Sequence, residues 1–323
     1  EGLVGSEMCI RDRLAAAAAL AQADAFALAM PGEAVALRQA GYSQPLVVLQ
    51  GFASTEELSL CSEYDLQPVV HQQWQAELLQ NASAPRVDVW LKIDTGMHRL
   101  GLPLQAVDHV YAMLESCASV DSIRFMSHFA NADDPDHPLN NNQLESFIKV
   151  TSAYNVERSM ANSAAIVSNA DSHLDWVRPG IMLYGSSPLL ARSAEALDLR
   201  AVMRLESRLV AIQHIRKGEA IGYGSTWQCP QDMPVGVVAA GYGDGYPRHA
   251  PSGTPVWINH QLCPIVGRVS MDSVCVDLRS VDAVHGDRVV LWGGELSVDT
   301  IAGYAGTISY ELLCHAGNTA SLA

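Results

Sequence analysis

Polar and charged side chains follow successive apolar segments in the first half of the sequence. Lys92 and Arg99 lie in LKIDTGMHRLG, His128 lies in MSHFANAD, and Arg178 lies in RPGIMLYG. Taken singly, His128 is more often a hydrogen-bonded structural histidine, and Arg178 a surface ion pair with an acid such as Asp175. The carboxyl ends of parallel strands share one rim of a β/α barrel, where catalytic groups gather. Together these residues therefore predict a functional site.

A hydroxyl and two backbone amides at the same rim could bind a phosphate group. Ser163 in MANSAA offers the hydroxyl, and Gly180 and Ile181 in RPGIMLYG offer amides with little steric obstruction. The loops after the last two strands of a β/α barrel often hold phosphate. From spacing alone a plainer interpretation is favoured, in which Ser163 caps a helix and Gly180 turns the chain.

Glycine-flanked tyrosines recur in the last third of the sequence. Tyr223 lies in GEAIGYGSTW, Tyr242 in VAAGYGDGYPR, Met271 and Asp272 in VGRVSMDSV, and Tyr310 in TISYELLC. On their own, such tyrosines are more often turn and packing residues than catalysts. The histidines and cysteines show no metal-ligand spacing, so the sequence predicts no metal site.

A parallel sheet must position the rim residues, and residues 14–198 carry the pattern for one. Short apolar segments alternate with amphipathic helices, two of which start near Pro31 and Ser54. Continuous apolar runs are typical of strands buried on both faces, and the alternation favours a parallel α/β fold. The predicted strands are Asp24–Ala29, Pro45–Gly51, Leu66–His71, Val87–Asp94, Ile123–His128, Ser159–Ile166 and Trp176–Tyr184.

Seven strands do not close a β/α barrel, which needs eight. Residues 1–13, EGLVGSEMCIRDR, have neither a helical nor a strand period and resemble a non-native, adapter-like segment. We therefore predict a TIM-type β/α barrel whose first strand is missing, and a native N-terminus that lies outside the given sequence.

Residues 199–323 change period and predict a second, mainly β domain. Its predicted strands are Arg204–Gln213, Val235–Ala240, Pro255–Asn259, Gln261–Val266, Val274–Leu278 and Asp287–Trp292. The pair Asn259-His260 is a plausible tight hairpin turn between two of them.

Composition narrows the class of protein. The 323 residues are 49% hydrophobic and 17% charged, which suits a folded chain of two domains. A formal net charge of -15 makes nucleic acid an unlikely partner. No apolar run reaches the roughly 18 residues that a membrane helix needs. Seven cysteines without CxxC spacing suit a reducing compartment, so we expect a cytoplasmic protein, with export left open.

Ten segments in register resemble alanine racemases, which are fold-type III pyridoxal-phosphate enzymes with an N-terminal β/α barrel and a C-terminal β domain. The segments are ADAFALAMPGEAVALRQAG, PLVVLQGF, LKIDTGMHRLG, MSHFANAD, MANSAA, DWVRPGIMLYG, AIGYGSTW, VAAGYGDGYPR, VGRVSMD and TISYELLC. The resemblance implies a homodimeric isomerase with active sites shared between subunits. It would interconvert L- and D-alanine with pyridoxal 5'-phosphate and supply D-alanine for peptidoglycan precursors.

The resemblance also implies roles in proton transfer. Tyr223 would be the catalytic base for the α-proton of L-alanine and would act on the partner subunit's cofactor. Free tyrosine has a pKa near 10, so a cation must favour its phenolate. Arg99 would supply that charge and bind the substrate carboxylate. Lys92, at a position that is often carbamylated in the family, would orient Arg99.

Cofactor and substrate contacts follow from the same resemblance. Arg178 would face the pyridine nitrogen of the cofactor. Because an arginine cannot easily give up a proton, that nitrogen would stay unprotonated and the ring would be a weaker electron sink. The residues implied at the phosphate are Ser163, Gly180, Ile181 and Tyr310, with His128 in support. Those implied at the substrate pocket are Met271 from the second subunit, with Asp272 and Tyr242 beside it.

One expected group has no counterpart in the sequence. Racemisation needs a base on each face of the substrate's α-carbon. In the family the second base is the Schiff-base lysine of a K-A-x-A-Y-G-H-G segment, which also carries a phosphate-site tyrosine. The lysines here are Lys92, Lys149 and Lys217, and none has those neighbours. We therefore predict that this chain is inactive and poorly folded.

Two other functions remain open. One is a broad-specificity racemase acting on serine, lysine or arginine, because the sequence does not settle the pocket width near Met271 and Tyr242. The other is a non-catalytic barrel that binds a phosphate ligand or a partner protein. A lysine-bearing strand encoded upstream in the source DNA would eliminate this last hypothesis.

Overall fold

Eight parallel strands in chain order form the first sheet of the computed structural model, which describes residues 3–5, 13–82 and 86–316. Each strand pairs with the next. The strands are β1 (Leu3–Gly5), β2 (Ala25–Leu28), β3 (Leu46–Val48), β4 (Leu66–Val70), β5 (Val87–Lys92), β6 (Val120–Met126), β7 (Arg158–Asn162) and β8 (Trp176–Arg178). The first and last strands lie next to each other, as in a β/α barrel. The predicted fold class is therefore confirmed.

The structure differs from the prediction that the first strand of the barrel is missing. Leu3–Gly5, within the segment predicted to be non-native, pairs in parallel register with Ala25–Ala27 of β2. The edge of a strand offers backbone N–H and C=O groups that any extended segment can pair, whatever its side-chain period. Side-chain patterning alone could not predict this pairing.

Helices alternate with the strands of the barrel. They are α1 (Arg13–Ala19), α2 (Pro31–Gln39), α3 (Thr55–Glu63), α4 (Gln73–Asn81), α5 (Val107–Glu115), α6 (Leu139–Thr151) and α7 (Ser163–Ser168). The predicted capping signal at Ser54 is confirmed, since its side chain accepts a hydrogen bond from the Glu57 amide. Short 3-10 turns occur at Leu104–Ala106, Ala170–Ser172, Ile181–Tyr184 and Glu195–Leu197.

Two predicted strands are shorter than expected. The strand predicted to continue to Ile166 ends at Asn162, because the Asn162 side chain accepts a hydrogen bond from the Ala165 amide and starts α7. The strand predicted to continue to Tyr184 ends at Arg178, immediately before Pro179 and Gly180. Both early ends bring polar groups to the rim of the barrel.

Apolar side chains from successive strands pack against one another in the first sheet. This cluster consists of Ala25, Ala27, Val47, Val69, Trp90, Met126 and Trp176, with Leu49 at its edge. The rings of Trp90 and Trp176 meet edge to face with centroids 5.9 Å apart. The indole N–H of Trp90 donates to Gln67 Oε1 at 2.9 Å, so its buried polar group is satisfied. A packed core of this kind fixes the strand ends that carry the site.

The chain forms two compact units, residues 1–182 with 188–192, and residues 183–187 with 193–323. The second unit contains a six-stranded antiparallel sheet and a separate two-stranded one. Its strands are β9 (Leu205–Ile215), β10 (Ala220–Ile221), β11 (Trp227–Gln228), β12 (Met233–Val238), β13 (Pro255–Ile258), β14 (Gln261–Pro264), β15 (Val274–Asp277) and β16 (Arg288–Trp292). Its helices are α8 (Val298–Ala305) and α9 (Ser309–His315), and further 3-10 turns occur at Tyr223–Ser225 and Tyr242–Asp244.

The six-stranded sheet has the order β14-β13-β16-β9-β12-β15. The predicted hairpin is confirmed: Asn259 and His260, both with positive φ, join β13 to β14. None of the helices in the described part of the chain has the length and apolarity needed to cross a bilayer.

Candidate functional site

Arg178 is buried at the end of β8 and is the centre of the rim site. Its side chain donates hydrogen bonds to Ser159 Oγ at 2.5 Å, the Ser127 carbonyl at 2.5 Å, the Met160 carbonyl at 3.2 Å and His128 Nδ1 at 3.3 Å. Burial lowers the pKa of Arg178 to about 10, so the guanidinium stays charged at neutral pH.

The surface ion pair considered for Arg178 is wrong. Asp175 instead accepts the Arg158 amide at 2.8 Å and lies 3.8 Å from the Arg158 side chain. Arg178 is only 7% exposed and spans the ends of β6, β7 and β8. Because these contacts go to β7 and to the residues just after β6, Arg178 links β8 to its two neighbours in the chain.

His128 lies beside Arg178 just beyond β6. Since arginine can only donate, His128 Nδ1 accepts, and the neutral ring carries its proton on Nε2. Burial, and then the positive charges of Arg178, Lys92 and Arg99, lower the pKa of His128 well below its usual range. The structure therefore brings Arg178 into contact with this imidazole, and Lys92 and Arg99 near enough for their charges to act on it.

The loop after β5 presents Arg99. Asp94 Oδ1 accepts the amides of Gly96 at 2.9 Å and His98 at 3.1 Å, which folds the loop back on itself. Gly101 has a φ of +140°, and an added Cβ there would lie 2.6 Å from the Asp94 nitrogen. Lys92 is buried at the end of β5, whereas Arg99 is exposed. The loop thus holds one cation inside the barrel and offers the other to solvent.

Ser163 and Gly180, two of the residues predicted at a phosphate, are hydrogen-bonded to each other. Ser163 Oγ accepts the Gly180 amide at 2.7 Å and the Met182 amide at 3.5 Å, so its own proton remains available to donate outward. The interpretation of Ser163 as a helix cap is wrong, since Asn162 is the cap of α7. Ile181 is buried and begins the following 3-10 turn.

The predicted residues of the second unit are exposed. Tyr223 has 69% of its surface accessible, and Tyr242, Met271 and Tyr310 are likewise among the exposed large side chains. Asp272 is also exposed and follows Met271 directly. Tyr223 stands in a turn between Gly222 and Gly224, whose φ values of +73° and +76° suit glycine. These side chains are therefore accessible to a ligand or to a second molecule.

Backbone hydrogen bonds join the loop of Tyr242 to that of Met271. The Tyr242 amide donates to the Ser270 carbonyl at 3.0 Å, and the Gly243 amide donates to the Met271 carbonyl at 2.9 Å. A Cβ at Gly241 would overlap both of those carbonyl oxygens. Only glycine lets the two loops approach this closely, so Gly241 fixes the spacing of Tyr242 and Met271.

Gly241→Ala is expected to lower the free energy of unfolding by about 1–3 kcal/mol, because the added methyl group must push the two loops apart. Urea denaturation measures this. Gly303→Ala in α8 is the matched control, since its methyl group would meet nothing within 4 Å. That variant should be as stable as the unmodified chain or more stable, because alanine favours a helix. Equal stabilities of the two variants would contradict the close packing.

Three buried polar residues that hydrogen-bond to the rim were not predicted from the sequence. Ser127, Ser159 and Gln143 are buried, and each hydrogen-bonds to a rim loop or to Arg178. A signal for Gln143 was available: it falls on the stripe of α6 that also buries Leu144 and Phe147. Within residues 3–5, 13–82 and 86–316, no three His, Cys, Asp or Glu side chains are grouped to hold a metal ion.

Both halves of the chain match known protein families. The family described as alanine racemase, N-terminal domain, matches residues 10–188, and the alanine racemase C-terminal domain matches residues 202–322. An alanine racemase of Halorhodospira halophila is 48% identical over 303 residues, which are 93% of this chain and 83% of that relative. One from Nitrosococcus oceani is 50% identical over 299 residues, which are 91% and 83% of the two chains.

Solved structures agree with this similarity. The biosynthetic alanine racemase from Pseudomonas aeruginosa superposes with a TM-score of 0.95 at 39% identity, covering 98% of this chain and 90% of that one. An alanine racemase from Bartonella henselae with covalently bound pyridoxal phosphate superposes with a TM-score of 0.87 at 27% identity, covering 98% and 90%.

Proposed function

This chain belongs to the alanine racemase family, and from that premise we propose that its site residues move the α-proton of alanine between the L and D configurations, with pyridoxal 5'-phosphate as cofactor. D-alanine made in this way would serve cell-wall precursors. The described cysteines are free thiols, which supports a reducing, cytoplasmic setting. The observation that carries the cofactor assignment is the buried guanidinium of Arg178 at the rim.

The residues at the rim fit pyridoxal phosphate. Ser163 keeps a hydroxyl proton to donate to a phosphate oxygen. The Ile181 amide lies in the same loop, next to the Gly180 amide that donates to Ser163 Oγ. Arg178 would face the pyridine nitrogen. When bound, the cofactor supplies an electron sink for the α-carbon. Because Arg178 cannot readily give up a proton, it would leave that nitrogen unprotonated and the sink weak, which favours returning the proton over transamination.

Proton transfer is assigned to the exposed phenol of Tyr223. We propose that Tyr223 removes and returns the α-proton on the L face, while Arg99 binds the substrate carboxylate and Lys92 orients Arg99. Tyr310 would contact the phosphate. The phenol is exposed, so it is accessible to a substrate held by a second copy of the chain.

The assembly proposed here is a homodimer with shared active sites. Tyr223 would act on a substrate held by the partner subunit. Met271, with Asp272 and Tyr242 beside it, would line the partner's substrate pocket. The exposure of Tyr223, Met271 and Tyr242 supports this arrangement, because each side chain is accessible to a second copy of the chain.

The given 323 residues are expected to bind pyridoxal phosphate reversibly and to produce no D-alanine. Lys92, Lys149 and Lys217 lack the neighbours of the second base, so no amine acts on the D face. Fluorescence titration with pyridoxal phosphate measures binding, and chiral chromatography after incubation with L-alanine measures turnover. D-alanine formation, with a reducible cofactor adduct on any of these lysines, would contradict the expectation. Absence of saturable binding would contradict the proposed cofactor site.

A further inference from the structure

Gln143 is a fully buried amide on α6, with 0% of its surface exposed. Its Nε2 group donates to the His128 carbonyl at 3.0 Å and to Thr95 Oγ1 at 3.3 Å, and its Oε1 accepts the Ala130 amide at 2.9 Å. Both amide protons and the carbonyl oxygen are therefore used. One side chain thereby connects the loop after β5 to the loop after β6.

The hydrogen bonds beyond Gln143 have a fixed direction. Ser127 Oγ donates to the Ile93 carbonyl at 2.8 Å, so it must accept from Thr95 Oγ1, which lies 2.9 Å away. Thr95 in turn accepts from Gln143 at 3.3 Å. Each group donates to the next: Gln143 on α6 to Thr95, Thr95 to Ser127, and Ser127 to the Ile93 carbonyl just after β5. A side chain without a hydrogen-bond donor, such as methionine, would leave Thr95 Oγ1 without this bond.

We propose that Gln143 is a positioning residue that fixes the loop after β6, and with it the imidazole of His128, in the orientation that accepts a hydrogen bond from Arg178. The contact from Arg178 to His128 Nδ1, at 3.3 Å, is longer than the bonds of Arg178 to Ser127 and Ser159, both at 2.5 Å. Gln143 holds the backbone on both sides of Phe129, at the His128 carbonyl and the Ala130 amide. Without these two bonds the ring of His128 would lose its fixed partner.

A second buried glutamine provides the matched control. Gln75 on α4 is also 0% exposed. Its Oε1 accepts the His71 and Gln72 amides at 2.8 and 3.1 Å, and its Nε2 donates to the Phe52 carbonyl at 3.0 Å. It joins the loops after β3 and β4, to which no site residue is assigned. Gln75→Met and Gln143→Met therefore remove the same kind of clamp, and only the second lies next to His128.

The direct test is the nitrogen NMR spectrum of His128 in the chain without added ligand, assigned from the signal lost in His128→Gln. The unmodified chain should show a neutral ring protonated on Nε2. Gln143→Met should convert this pattern to a mixture of the two neutral tautomers, and Gln75→Met should leave it unchanged. Gln143→Glu keeps an acceptor for the Ala130 amide but loses both donors. It should give the same mixture above the pKa of the new carboxyl group, even if the methionine variant unfolds.

A second measurement, which rests on the proposed function, is the affinity for pyridoxal phosphate. Both Gln143 variants should bind about ten-fold more weakly, the change expected from one lost hydrogen bond, while Gln75→Met should bind as the unmodified chain does. An unchanged His128 spectrum in the Gln143 variants, or an equal change in Gln75→Met, would overturn the positioning role. If the unmodified chain bound no pyridoxal phosphate, the proposed cofactor would fail, and the His128 spectrum would still decide the role of Gln143.

Discussion

Tyr223→Phe is expected to stop the exchange of the α-proton of L-alanine with solvent. The chain of 323 residues is expected not to racemise alanine, but in deuterium oxide with pyridoxal phosphate it should still exchange this proton and return the product as L-alanine. The reason is that one base on one face removes the proton, exchanges it for solvent deuterium at its hydroxyl group, and returns a deuteron to the same face. Phenylalanine keeps the ring but has no hydroxyl group to carry the proton, so exchange should fall at least about 100-fold.

Proton NMR of the alanine α-signal measures the exchange, and chiral chromatography checks the configuration. Tyr304→Phe is the control, because Tyr304 is an exposed tyrosine of the same unit to which no site role is assigned. Its exchange rate should match that of the unmodified chain. Exchange that persisted in Tyr223→Phe would exclude Tyr223 as the base. Deuterated D-alanine would show that a second base is present after all.

The architecture of the barrel could be predicted because buried parallel strands leave a plain pattern. Continuous apolar runs identified β2 to β8. Their ends were harder to predict, because a single cap decides them: the side chain of Asn162 starts α7, and Pro179 follows the last residue of β8. The pairing of β1 could not be predicted at all, since it depends on backbone groups that carry no side-chain signature.

The candidate site at the rim of the barrel could be predicted only in part. Strand-end positions correctly placed Arg178 near His128, and Ser163 near Gly180. The partners of Arg178 were not predictable, because two of them are backbone carbonyls on neighbouring strands. In a sequence, every residue has a carbonyl, and only the fold selects which ones converge on one guanidinium.

These contacts fix the position of Arg178 and the charge state of His128. Backbone and serine oxygens gather around Arg178, so its charge is fixed in place before any ligand binds. Burial first, and then that charge, lower the pKa of His128 and keep it neutral, because a second cation beside Arg178 would be poorly solvated and repelled. A neutral imidazole with its proton on Nε2 can donate to an anionic ligand without drawing a further charge into the barrel.

Arg178→Leu is expected to lower the free energy of unfolding by about 3–5 kcal/mol, because several buried acceptors lose their donor at once. Urea denaturation at neutral pH measures the change. Arg158→Leu on the neighbouring strand is the control. Its ion pair with Asp175 is partly exposed at 3.8 Å, so that variant should lose no more than about 1 kcal/mol.

Arg178→Leu should also alter how the free energy of unfolding depends on pH. In the unmodified protein, burial and the nearby cations lower the pKa of His128, so the folded state binds fewer protons than the unfolded state as the pH falls below about 6.5. The stability that comes from keeping His128 neutral is complete above that pH and is lost as the pH falls below it. Without the charge of Arg178 the pKa lies closer to its usual value, so Arg178→Leu should lose less stability than the unmodified protein between neutral pH and pH ~5. Parallel pH profiles for the two proteins would show that Arg178 carries no charge that His128 senses.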